Sequence, residues 1–168
     1  LGAEDMPNLL LMLGNAYRRL HLYNLAVSAF EKAKKSYTAY DQPAALLFGL
    51  GESLYKVQRL EEARQALEEF VKRDPEDRRV SRAYFLLGDV MLRQKRYEKA
   101  TTAFDAAMRK ATDGSCKIDI LLATAEASNC QGDYDKASRL MNRAIALMNQ
   151  NKTDSAAGDH ETYQALGE

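Results

Sequence analysis

Two thiols, two imidazoles and a few adjacent carboxylates are the side chains of this 168-residue chain that come first as candidates for covalent or metal chemistry. Cys116 and Cys130 stand fourteen residues apart. One helix joining them would separate the sulfurs by about 21 Å at roughly 1.5 Å per residue, too far for a disulfide. With no CxxC and no clustered histidine they give neither a zinc spacing nor a redox motif. Cys130 reads as a small semi-buried apolar residue, because no histidine or dense cationic cluster close in sequence would lower its pKa. His21 falls in a turn and His160 at the edge of a polar stretch, both as solvated side chains. Glu61-Glu62 and Glu68-Glu69 read as solvated helix faces rather than acid–base pairs. HExxH, GxSxG, a Walker-type glycine loop and GxGxxG are all missing from the sequence. The expectation is therefore a chain that is not an enzyme, with no cofactor and no metal site.

The bulk numbers bound the remaining classes. Hydrophobic residues make up 46% and charged residues 29%, which suits a folded globular protein. The 24 Lys and Arg balance 24 Asp and Glu, so no long-range field steers the chain to nucleic acid or an anionic membrane. No apolar run reaches the roughly 18 to 20 residues that span a bilayer. The chain starts at Leu1 and ends inside a helix-like pattern, so it reads as a piece of a longer protein, with any targeting signal outside it. Its compartment is left open between the cytoplasm and the bacterial periplasm.

What must position any functional side chain is a repeated element. An apolar residue, two others, then Leu-Gly occurs as Leu10, Leu13, Gly14, as Leu47, Leu50, Gly51 and as Tyr84, Leu87, Gly88, with a degenerate copy in Leu121, Thr124, Ala125. The central small residues Gly14, Gly51, Gly88 and Ala125 are each 37 residues apart. Twelve residues on stand Ala26, Ala63, Ala100 and Ala137, and four further Phe30, Leu67, Phe104 and Met141. Apolar residues at three- and four-residue spacing over two stretches per unit mark two amphipathic helices. Glycine in mid-helix costs about 0.5 to 1 kcal/mol relative to alanine, so its recurrence indicates close backbone packing. Asp41 ahead of Pro43 and Asp74 ahead of Pro75 read as helix starts.

These residues resemble the tetratricopeptide repeat, whose pattern the first unit carries as Leu10, Leu13, Gly14, Tyr17, Ala26, Phe30 and Ala33. The resemblance implies an all-α fold, a right-handed superhelix or solenoid of antiparallel helix hairpins. Four repeats are placed at 7–40, 44–77, 81–114 and 118–151. A polar loop follows at 152–159 and a truncated fifth repeat at 160–168, where Tyr163, Leu166 and Gly167 restate the opening phrase. The family's usual period is shorter by three residues, and the additional ones are placed near Asp41–Pro43, Arg78–Val80 and Ser115–Lys117. Longer units of this kind resemble repeats of bacterial envelope assembly proteins.

The resemblance also implies a function, a non-catalytic scaffold that holds a partner protein or peptide in a concave groove lined by the first helix of each hairpin. Three residues before the central small residue stand Leu11, Phe48, Phe85 and Leu122, an apolar stripe that either anchors a peptide, chiefly through Phe48 and Phe85, or makes contacts between the first helices of neighbouring hairpins. One residue after it stand Asn15, Glu52, Asp89 and Glu126. Five after it stand Arg19, Lys56, Arg93 and Cys130, and Tyr55 and Arg82 complete the surface. Glu52 with Lys56 and Asp89 with Arg93 are spaced as i,i+4 ion pairs. The clamp that binds the acidic C-terminal tails of Hsp70 and Hsp90 is not reproduced: Leu11 stands for its first Lys, Gly49 for its second Asn and Leu86 for its Arg. Two alternatives stand beside this reading: a regulatory or sensor module of a larger multidomain protein, and an assembly scaffold of a bacterial envelope. Self-association through the truncated last helix is also expected, because an uncapped end exposes an apolar face.

Overall fold

The structure, a computed structural model, describes residues 6–38 and 41–165, the side chains of 153–165 excepted. Eight helices follow one another: α1 (Met6–Arg19), α2 (Tyr23–Ser36), α3 (Ala44–Lys56), α4 (Leu60–Arg73), α5 (Val80–Arg93), α6 (Tyr97–Lys110), α7 (Gly114–Cys130) and α8 (Tyr134–Ala165). Each odd-numbered helix packs against the even one that follows it, and also against the next odd one. Four antiparallel hairpins therefore stack into a right-handed superhelix.

The turn inside each hairpin is the same. His21, Gln58, Lys95 and Gly132, each seven residues past the central small residue, take positive φ of 58°, 64°, 60° and 83°. The amide one residue later reaches back to the last helical turn: Leu22 N to Tyr17 O at 2.9 Å, Arg59 N to Leu54 O at 2.9 Å, Arg96 N to Met91 O at 2.9 Å and Asp133 N to Ser128 O at 3.0 Å. This left-handed closure satisfies carbonyls that the helix end leaves open. His21 is thus an exposed turn residue, its Nδ1 within 2.8 Å of the Tyr23 hydroxyl.

The small central residues sit under large ones. A Cβ built on Gly14 or on Gly49 would lie 2.6 Å from the Phe30 ring, so α1 and α3 close on that ring from two sides. Gly51 meets Leu67 in the same way. Phe30, Leu67 and Phe104 are fully buried. Two buried hydroxyls are satisfied within their own helices: Ser53 Oγ donates to Gly49 O at 2.7 Å and Thr124 Oγ1 to Ile120 O at 2.7 Å.

Three expectations need correction. Asp74-Pro75 marks an end rather than a start, since α4 stops at Arg73, Pro75 cannot continue it, and α5 begins only at Val80. The additional residues expected at Ser115–Lys117 are absorbed into α7, which begins at Gly114 with Asp113 accepting from the Cys116 amide at 2.9 Å. The polar stretch 152–159 is helical backbone, because α8 continues through Ala165. It holds no proline, and a single Gly158 costs a helix only about 1 kcal/mol. Leu166 and Gly167, and the side chains of His160 and Tyr163, lie outside the described residues, and with them the expected opening of a fifth repeat.

Candidate functional site

The odd-numbered helices carry every residue of the expected groove, and their mutual stacking decides which of these face outward. The apolar stripe divides. Phe48 is only 5% exposed, its ring centroid 5.3 Å from that of Phe70 on α4, with the Arg79 guanidinium 5.2 Å above it. It belongs to the core and is not a groove anchor. Its position, three residues before the small residue, points at the next odd helix, and α5 covers it. Phe85 is half-buried, 5.8 Å from Phe104 and beneath Arg82 at 5.2 Å. Leu11 is also half-buried, whereas Leu122, on the last odd helix, is 43% exposed.

The acidic stripe is largely committed to joining hairpins. Glu52, with its side chain 14% exposed, receives Arg18 Nη1 of the preceding hairpin at 2.6 Å and lies 3.9 Å from Arg82 Nε of the following one. Lys56 was expected to pair with this carboxylate, but Arg18 and Arg82 hold it instead. Asp89 accepts from the Tyr55 hydroxyl at 2.6 Å and from Arg93 Nε at 2.6 Å, so the expected Asp89–Arg93 pair forms. Arg93 Nη2 reaches the Tyr55 hydroxyl at 3.2 Å, and its guanidinium lies 5.5 Å over the Tyr55 ring. Burial first, then the neighbouring Asp89 carboxylate, raises the Tyr55 pKa, so the phenol stays protonated and donates. Asp89 in turn holds Arg93 more firmly protonated. Asn15 donates to its own helix at Leu11 O, 3.1 Å.

Sequence reasoning missed Arg18, though a signal was present. Two of the bonds that join hairpins, Arg18–Glu52 and Tyr55–Asp89, each link residues 34 apart. The same step from Glu126 leads back to Leu92, which has no polar group to offer, so the ladder stops at the third junction and Glu126 is exposed. Arg19 and Lys56 are exposed, and so is Cys130, which was expected to be semi-buried but stands at the open C-terminal end of α7. Arg82 and Arg93 keep 42% and 45% of their side chains open to solvent despite their pairing. Across the first three hairpins the face presents five cations, Arg18, Arg19, Lys56, Arg82 and Arg93, against two carboxylates, Glu52 and Asp89. The fourth hairpin reverses the sign with Asp119 and Glu126.

The chain matches the tetratricopeptide repeat family over residues 11–78 and 48–115. No curated protein matches it by sequence. Among solved structures, "Crystal structure of MamA" superposes with a TM-score of 0.77 at 20% identity, covering 90% of this chain and 83% of that one. A MamA from Desulfovibrio magneticus RS-1, residues 41 to the end, gives 0.74 at 23% identity over 86% of this chain and 76% of that one. At these identities the likeness is one of fold.

Proposed function

The chain belongs to the tetratricopeptide repeat family, and on that premise we propose that the concave face of α1, α3 and α5 holds an extended, carboxylate-bearing segment of a partner protein. Repeats of this family serve in general as protein-interaction scaffolds. The observation that carries the finer reading is the excess of cations on that face: its two carboxylates are consumed by Arg18, Arg82, Tyr55 and Arg93, while Arg19 and Lys56 stand exposed.

Each exposed cation–carboxylate contact contributes roughly 0.2 to 1 kcal/mol and is screened by salt. Several of them with half-buried Phe85 beneath give weak affinity, near the millimolar end of the range, where 1 mM corresponds to about −4 kcal/mol. A free C-terminus is not required, because Leu11 stands where a terminal carboxylate clamp needs its first lysine. The test is fluorescence anisotropy with labelled Glu-rich, Ser/Gly and Lys-rich peptides at two salt concentrations. The Glu-rich peptide should bind best, lose affinity as salt rises, and lose about tenfold more when Arg19→Glu and Lys56→Glu are combined. Equal binding of the Lys-rich peptide, or no effect of the charge reversals, would refute the proposal.

A further inference from the structure

The two ends of the stack expose the faces that its interior junctions bury. At the position of Leu9, the later hairpins carry Leu46, Ala83 and Ile120, all 0% exposed because each lies against the preceding hairpin, but Leu9 is 41% exposed. At the position of Met12 stand Gly49, against the Phe30 ring, and Leu86, 1% exposed; Met12 is 68% exposed. Ala16 completes this head face, and the residues equivalent to it, Ser53, Val90 and Ala127, are 0% exposed.

The other end repeats the pattern in reverse. Phe30, Leu67 and Phe104 are fully buried where the next hairpin covers them, while their counterpart Met141 on α8 is 47% exposed. One turn on, Ile145, whose counterparts Lys34, Val71 and Met108 are half-buried, is 54% exposed, and Leu122 on α7, the counterpart of buried Phe48, is 43% exposed. Contiguous apolar surface of this kind marks an interaction site.

We infer that these faces are one interface in two halves: the head of one copy, Leu9 and Met12 on α1, docks on the tail of a second copy, Leu122 on α7 with Met141 and Ile145 on α8. The occupant is a second copy because the contact continues an interface made three times within the chain. At each junction α1-type positions meet α2-type and α1-type positions of the hairpin before. The tail supplies those same positions in the same register, with flexible methionine where interior units carry phenylalanine. Both halves are uncharged, and the two groups of residues belong to opposite ends of the stack. Such a contact is heterologous, so it propagates or closes into a ring rather than stopping at a two-fold dimer.

The test is sedimentation velocity of the 168-residue chain between about 5 and 200 µM, with the average mass expected to rise with concentration. Two variants separate the halves: Leu9→Lys with Met12→Lys for the head, and Met141→Lys with Ile145→Lys for the tail. Each alone should remain monomeric over the whole range. Mixed in equal amounts, the intact tail of one and the intact head of the other should give a complex of two chains and nothing larger. The sites are exposed, so circular dichroism and Tm should stay near wild type. Leu122→Lys, on a different helix, should reproduce the tail variant. A wild-type chain that is monomeric throughout assigns the head to another occupant and overturns the inference. So does a variant that still assembles, or a mixture that stays monomeric. Arg19 and Lys56 belong to neither face, so failure of peptide binding would leave this outcome unchanged.

Discussion

A large side chain seated against a glycine leaves no space for a methyl group, and this single fact ties sequence to packing in three of the four hairpins. Gly14 meets Phe30, Gly51 meets Leu67 and Gly88 meets Phe104. The fourth hairpin carries Ala125 with Met141, an unbranched side chain that yields where a ring would not. Gly88→Ala should therefore destabilise the chain by about 1 to 2 kcal/mol through overpacking, although alanine alone favours a helix by up to about 1 kcal/mol. Phe104→Met should relieve the clash, so urea titrations of the two single variants and the double should show a favourable coupling near 1 kcal/mol. Additive single effects would mean that Phe104 already moves aside. The glycines, their 37-residue spacing and the large apolar residues that recur sixteen positions after them were all legible in the sequence. The burial of Phe48 was not, because helical periodicity tells which residues share a face but not whether that face meets solvent or the next helix in the stack.

The connections between hairpins show the same division. Turns within hairpins recur at a fixed offset and their places were legible, but of the four residues only Gly132 favours the left-handed conformation; His21, Gln58 and Lys95 adopt it because the hairpin geometry imposes it. The longer link from α4 to α5 depends on Asp77, whose carboxylate accepts from the Arg79 amide at 2.8 Å and from Arg79 Nε at 2.8 Å, placing that guanidinium over Phe48 and Phe70. Bonding to the Arg79 side chain, opposed in part by burial, lowers the Asp77 pKa from 3.8 to about 2. A depressed carboxylate pKa contributes stability that is present above the unfolded value and is lost as pH falls through the folded one. Asp77→Asn should accordingly cost on the order of 1 kcal/mol at pH 7, with allowance for solvent screening. Its Tm deficit should close between about pH 4 and pH 2, and a constant deficit across that window would exclude the ion pair as its source. A second expectation concerns α7 and α8. Ser128 Oγ is buried without a hydrogen-bond partner among the described residues, and over its described side chains α8 buries only Ala137 and Ala144. Hydrogen exchange should be faster in residues 118–151 than in 44–114, because α7 joins a buried cluster with α6 while α8 adds no buried large side chain of its own among the described residues; equal protection would argue against a weak fourth hairpin.

In a stacked array, stability is close to a sum of hairpin and junction contributions, so the molecule can be shortened at its weakest junction and the remainder retained. That junction is the third. Arg18–Glu52 and Tyr55–Asp89 span the first two with charged or short oxygen bonds, whereas the last carries the 3.7 Å contact between Ser81 Oγ and Cys116 Sγ, a weaker bond. Charge changes at the same place, from the cationic face of the first three hairpins to Asp119 and Glu126 on the fourth. A chain ending at Ala111 should therefore keep α1 to α6 folded, with helicity per residue preserved and Tm lower by only several degrees, about 4 to 8 °C per kcal/mol in a domain of this size. It should also bind the Glu-rich peptide at least as tightly as the full chain, because removing Asp119 and Glu126 takes away repulsion at one end of the groove while leaving Arg19, Lys56, Arg82 and Arg93 in place. Circular dichroism and anisotropy on the shortened chain measure both quantities. A folded chain that binds the peptide several-fold more weakly would place the fourth hairpin inside the binding surface, and the cationic face of α1, α3 and α5 would then not be sufficient for recognition.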